Sequence, residues 1–167
     1  MRTFIAINFN ETVKDQIVQV QDALRNSSLK GNFTHRENIH LTLIFLGEIS
    51  ENKIDTIRNI ISSIEFKPFE IIFTHTGNFE QDAGKLFWLG TEPCDELLHI
   101  QKKLASMLSE AGFSIESRKF APHLTLSRKT IIKSIFKEQN LNIKSTVEKI
   151  SLMKSERINN KLTYTEI

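Results

Sequence analysis

The chain has 167 residues, 40% of them hydrophobic and 25% charged, enough to bury a core and too ordered in composition for a peptide hormone or a disordered tail. A net charge of +2 is too small for a protein that coats nucleic acid over its whole surface, so any polyanion is met locally. A lone cysteine, Cys94, excludes an intramolecular disulfide and the multi-cysteine zinc sites, and fits a reducing cytoplasm.

The opening stretch carries four apolar residues, Phe4 to Ile7, before Asn8 interrupts them, which predicts a strand over about 2–8 and not a secretion signal. Val13, Ile17, Val20 and Leu24 recur at helical spacing and predict a helix over about 11–26. A strand near 39–46, a helix near 51–64 and a strand near 68–75 come next. The second half predicts a strand near 86–91, then a helix over about 95–110 on Leu97, Ile100, Leu104 and Leu108. After it come a strand near 122–128, a short helix near 130–137, and closing strands near 145–154 and 161–166. No apolar run approaches the roughly 18 residues of a membrane helix, so a soluble protein with no membrane partner is expected.

The chain repeats itself. His-Leu-Thr-Leu occurs at His40 to Leu43 and again at His123 to Leu126, 83 residues later, and the same offset carries Phe4 onto Phe87 and Ile17 onto Ile100. One offset that aligns a strand, a helix and a tetrapeptide indicates duplication within a single unit over 1–167, with halves of about 1–83 and 84–167. Helices and strands mix without the alternation a parallel sheet requires. The expected fold is therefore α+β and bilobal: two duplicated lobes with largely antiparallel sheets flanked by helices and a cleft between them.

Residues two apart share a face of a strand, so His40 and Thr42 point one way while Leu41, Leu43 and Phe45 point to the core. His123 and Thr125 stand likewise against Leu124 and Leu126. Two imidazoles that titrate near neutrality, one accepting and one giving a proton, with two hydroxyls to hold non-bridging oxygens, are the equipment for in-line displacement at phosphorus. A strained cyclic phosphate needs no metal for this chemistry. Zinc held by His40 and His123 is the weaker reading, since neither motif brings closely spaced further ligands. His35, His75 and His99 have no partner at the 83-residue offset and are assigned surface or structural roles. No P-loop, dinucleotide fingerprint or nucleophile elbow is present.

Between Arg118 and Lys137 lie six basic residues, Arg118, Lys119, Arg128, Lys129, Lys133 and Lys137, and no acidic one. Because they enclose His123 and Thr125, they read as a phosphate track for RNA, with a solvated face as the alternative. Strict alternation from His123 sends Arg128 to the leucine face, so reaching the cleft requires an escape at the strand end. Phe120, Phe45, Phe79 and Trp88 lie near the cleft segments as candidate base-stacking residues, with burial the expected fate of most, Phe45 and Trp88 among them.

With those residues in place, the sequence resembles the LigT-type RNA 2′,3′-cyclic phosphodiesterases of the two-histidine phosphoesterase superfamily. The resemblance rests on NIHLTLIFLG and PHLTLSR, and extends through MRTFIAINFN, GNFEQDAGKLFWLGTE and the closing SLMKSERINNKLTYTEI. It implies metal-independent opening of a terminal RNA 2′,3′-cyclic phosphate to a 2′-phosphomonoester, with no cofactor. It further implies His40 as proton donor to the leaving 3′ oxygen, His123 as acceptor from water, and Thr42 and Thr125 on the phosphate. Arg128, Phe120, Arg118 and Lys129 are the expected substrate-binding residues. The expected partner is an RNA with a cyclic phosphate end, met by a monomer. The alternatives are a small cyclic nucleotide as substrate, 2′-5′ RNA ligation by the reverse reaction, and a non-catalytic RNA-binding module.

Overall fold

The computed structural model describes residues 1–137 and 139–167. In chain order the elements are β1 (Arg2–Asn8), α1 (Glu11–Asn26), β2 (Ser28–Phe33), β3 (His40–Glu48), α2 (Ile54–Ser62), β4 (Phe69–Gln81), β5 (Gly84–Thr91), α3 (Asp95–Glu110), β6 (His123–Ile132), β7 (Asn140–Val147), β8 (Ser151–Ile158) and β9 (Lys161–Glu166). α1 starts where the Asn10 side chain accepts from the Val13 N–H at 2.9 Å, closing one of the open donors of the first turn. Its apolar stripe of Val13, Ile17, Val20 and Leu24 is buried, as is that of α3.

Among the described residues, nine strands form two antiparallel sheets, one ordered β3-β1-β8-β9 and the other β2-β6-β5-β4-β7. The duplication is visible in space: β1, α1 and β3 recur as β5, α3 and β6. The halves, however, exchange strands. β4, from the first half, pairs with β5 in the second sheet, and β8, from the second half, pairs with β1 in the first. Each lobe is thus built from both halves, and one contiguous apolar core runs through both sheets and all three helices.

The helix expected near 130–137 is replaced, in its first part, by a continuation of β6 to Ile132, since the β-branched Thr130-Ile131-Ile132 fits a pleated strand better than a helix. β2 carries no apolar alternation and escapes a pattern search. It pairs with β6 closely enough that a Cβ on Gly31 would stand 2.7 Å from Thr130 Oγ1. The strand expected over 145–154 is two, β7 and β8, broken before Ser151, and β4 runs on to Gln81.

Strand exchange makes a prediction about folding. A fragment ending at residue 83 has no β8 to cover β1 and no β5 to receive β4, so it is expected to stay unfolded by far-UV circular dichroism and amide dispersion. The full chain is expected to unfold in one transition. A folded fragment would show that the halves are self-sufficient.

Candidate active site

β3 and β6 approach each other where the sheets meet, bringing the two His-Leu-Thr-Leu segments together. Leu41, Leu43, Leu124 and Leu126 are buried in the core, which leaves His40, Thr42, His123 and Thr125 on the opposite, cleft-facing side. Both imidazoles are held the same way. Nδ1 of His40 lies 2.7 Å from the Asn38 carbonyl and Nδ1 of His123 lies 2.8 Å from the Ala121 carbonyl. A carbonyl only accepts, so each Nδ1 carries a proton and each Nε2 is left for the cleft. Nε2 of His40 sits 2.9 Å from the Thr42 hydroxyl.

Beyond the threonines the alternation breaks in the same place on both strands. Opposite β1, Ile44 and Thr42 pair with the consecutive Ile5 and Ala6, leaving Leu43 as an extra residue. Opposite β5, Ser127 and Thr125 pair with Phe87 and Trp88, leaving Leu126 extra. Each bulge flips the parity of the strand residues beyond it. Phe45 and Arg128, themselves 83 residues apart, are thereby turned to the histidine face. Phe45 is 47% exposed, which overturns its expected burial, and the guanidinium of Arg2 lies 5.0 Å from its ring centre. Arg128 reaches the cleft through the bulge and not through fraying at the strand end.

The β6 bulge is held from below. Gln21 of α1, buried, donates from Nε2 to the Leu126 and Thr34 carbonyls at 2.9 Å each, while Thr34 N–H also donates to Leu126. The Thr34 hydroxyl donates to the Thr125 carbonyl at 2.8 Å.

The two histidines sit in different surroundings. His40 rests against Phe4, with ring centres 4.8 Å apart, and takes Tyr164 edge-on at 5.1 Å. Asn38 fixes this corner: its side-chain amide donates to the Leu162 carbonyl at 2.8 Å and its side-chain oxygen accepts from the Tyr164 N–H at 3.3 Å. A Lys161–Glu37 ion pair ties the same strand, β9, to the loop before His40. Burial pushes the His40 pKa down, Arg128 across the cleft lowers it further, and the Asn38 carbonyl works the other way. Burial likewise raises the Tyr164 phenol, against Arg128 and Arg2. The sequence reading missed Tyr164 and Arg2, both single polar residues near chain ends and outside the two repeated tetrapeptides. His123 is half-exposed, with Phe79 edge-on at 6.2 Å.

The remaining expected contacts separate. Phe120 packs, half-buried, against the core, so it is not an open stacking surface. Arg118 pairs with Glu116 at 3.2 Å in the loop before β6. Lys129 is exposed, in a left-handed backbone conformation with φ of 51°, and its N–H donates to Gln81. Lys133 lies just past the end of β6, roughly 30 Å from His123 at about 3.3 Å per residue, so the basic run is not one compact track around the motif.

This geometry has two measurable consequences. Because the folded His40 resists protonation, the unfolded chain takes up the proton first as pH falls through about 6.5, and stability should decline there. His40→Gln should flatten that part of a stability–pH curve measured by urea denaturation; an unchanged slope would place the titration elsewhere. Gln21→Leu leaves the Thr34 carbonyl unpaired and should cost about 1–3 kcal/mol in the same assay.

A sequence profile described as the 2′-5′ RNA ligase superfamily matches residues 11–159. The RNA 2′,3′-cyclic phosphodiesterase of Thermotoga maritima is 39% identical over 131 residues, covering 77% of this chain and 70% of that protein. The one of Methanothermobacter thermautotrophicus is 30% identical over 167 residues, covering 93% and 90%. Among solved structures, Escherichia coli LigT complexed with 3′-AMP superposes with a TM-score of 0.85 at 25% identity, covering 99% of this chain and 94% of that one. A Thermus thermophilus protein shares the fold at a TM-score of 0.88 and 23% identity, covering 100% and 95%. With its duplicated strands, its bilobal sheets and this match over most of its length, the chain belongs to the 2′-5′ RNA ligase superfamily.

Proposed function

We propose that this protein hydrolyses the 2′,3′-cyclic phosphate at an RNA end, leaving a 2′-phosphomonoester and a free 3′ hydroxyl. The observation that carries the reading is the pair of cleft-facing imidazoles, each with Nδ1 tied to a backbone carbonyl and Nε2 directed away from it, that of His40 onto the Thr42 hydroxyl, in a chain whose relatives are named RNA 2′,3′-cyclic phosphodiesterases. Water attacks phosphorus in line with the 3′ oxygen. His123 Nε2 accepts the water proton as the new P–O bond forms; the bond from phosphorus to the 3′ oxygen breaks, and His40 Nε2 delivers a proton to that oxygen. Thr42 and Thr125 donate to the non-bridging oxygens, and Arg128 faces the charge that builds on them.

The donor role requires an imidazolium at His40, which burial and Arg128 oppose in the free protein. The arriving phosphate supplies the opposing negative charge and engages Arg128, so binding itself charges His40. The alkaline limb of kcat/KM, which reports the free protein, should therefore lie below the ordinary histidine range, and that of kcat should lie higher. The depressed pKa equally suits a proton acceptor, and the leaving group separates the roles. His40→Ala and His123→Ala should each lower kcat about 10²–10⁴-fold on an oligoribonucleotide with a cyclic end. Sulfur in place of the 3′ oxygen leaves without a proton and should rescue His40→Ala but not His123→Ala. Rescue of the other variant would exchange the assignments. Activity should persist in EDTA; loss on chelation, restored by a divalent metal, would overturn the two-histidine scheme.

A small cyclic nucleotide uses the same groups, and so does ligation run in reverse. An RNA end is favoured because the relatives are named RNA 2′,3′-cyclic phosphodiesterases, and Lys119 and Lys129 lie near His123 and Arg128 in the sequence.

A further inference from the structure

The cleft face of the second sheet continues past His123 across β5 to β4, and what it presents there is aromatic. Opposite β5, His75 and Phe73 pair with Gly90 and Thr91, so Thr74 is an extra residue and a third bulge turns His75, Gly77 and Phe79 to the cleft side. His75 and Phe79 are exposed, Phe79 to 52%. The rings of Phe79 and Trp88 lie 5.5 Å apart at 35°, and His75 meets Trp88 at 5.6 Å.

Two glycines shape this surface. Gly77 pairs with Trp88, and a Cβ there would stand 2.2 Å from the indole; Gly90 pairs with His75, and a Cβ there would stand 2.4 Å from the imidazole. Each ring leans into the space its partner glycine leaves open. Gly90 also pairs with His123, and Trp88 with Thr125, so the shelf shares an edge with the reacting groups. His75 lies two strand spacings, about 10 Å, from His123.

Resting on the proposed action at an RNA end, we propose that this shelf of His75, Phe79 and Trp88 binds the base of the penultimate nucleotide, the one preceding the cyclic end, by stacking. The shelf begins beside the reacting histidine, with Phe79 6.2 Å from His123, and extends away from it to His75, two strands over. Phe79 offers only a face, the Trp88 N–H is buried, and Nδ1 of His75 is engaged with the Thr74 hydroxyl at 2.9 Å, which fits stacking on a base of any identity. The specificity it confers is for a polymer end over a cyclic mononucleotide.

The test compares a trinucleotide ending in a 2′,3′-cyclic phosphate, the same trinucleotide lacking its penultimate base, and a cyclic mononucleotide. The ratio of kcat/KM for the intact trinucleotide over the mononucleotide should fall about tenfold in Phe79→Ala and in His75→Ala, the scale of one stacked base. Removing the penultimate base should cost wild type the same factor and cost Phe79→Ala nothing further. Trp88 is the only tryptophan, so its fluorescence reads the shelf without turnover. An intact trinucleotide carrying the 2′-phosphate product end should quench it more strongly than the abasic one. Absence of hydrolysis by wild type would remove the proposed reaction while leaving the quenching to decide the shelf. Equal cleavage and equal quenching by intact and abasic trinucleotides would overturn the shelf while leaving the reaction intact.

Discussion

A regular strand places side chains on one face at every second residue, so it cannot present residues at i, i+2 and i+5 together. Both motif strands do so here, with His40, Thr42 and Phe45 on one and His123, Thr125 and Arg128 on the other. The extra residues Leu43 and Leu126 make it possible, and both are leucines that stay in the core. The bulge is therefore anchored on its inner side by apolar burial while its outer side gains a third group. At β6 the anchoring extends to the backbone, where the Leu126 carbonyl receives Gln21 and Thr34. Without that displacement Arg128 would point into the leucine layer, where an unpaired guanidinium is strongly disfavoured.

The repeat has diverged in chemistry while keeping its backbone. Around His40 the first sheet gathers Phe4, Ala6, Met153 and Tyr164 into a small apolar cluster, and Asn38 clamps β9 over it. The imidazole is thereby desolvated and its charged form disfavoured. Around His123 the second sheet keeps glycines at Gly77 and Gly90 and lays the rings of Trp88 and His75 over them, so the ground next to the imidazole is aromatic. Two identical tetrapeptides thus sit in unlike surroundings, one imidazole packed against an apolar cluster and the other half-exposed beside Phe79.

The parts legible in the sequence were those set by local periodicity. α3 was expected at about 95–110 and spans Asp95–Glu110, because four leucine and isoleucine positions at helical spacing leave few alternatives. The motif residues were legible because alternation separates His40 and Thr42 from leucines on either side. The parts that escaped are non-local. Phe45 was expected in the core because a bulge is invisible to a period-two pattern and is specified by pairing with β1. β2 was missed because SLKGNF has neither alternation nor a β-branched run, and its place depends on the edge of β6. Tyr164 could be counted as a strand residue in KLTYTE, but nothing local to it says that β9 folds back onto His40.

Strand exchange ties these observations together. His40 belongs to the first half, yet three of the groups around it, Tyr164, Met153 and Arg128, come from the second. His123 belongs to the second half, and Phe79 beside it comes from the first. Neither imidazole acquires its whole environment from its own repeat. The tautomer is set locally, by a carbonyl two residues before each histidine, but Tyr164 beside one ring and Phe79 beside the other are in place only when β4 and the closing hairpin of β8 and β9 have crossed over. The difference in surroundings between two identical motifs is thus a property of the closed chain.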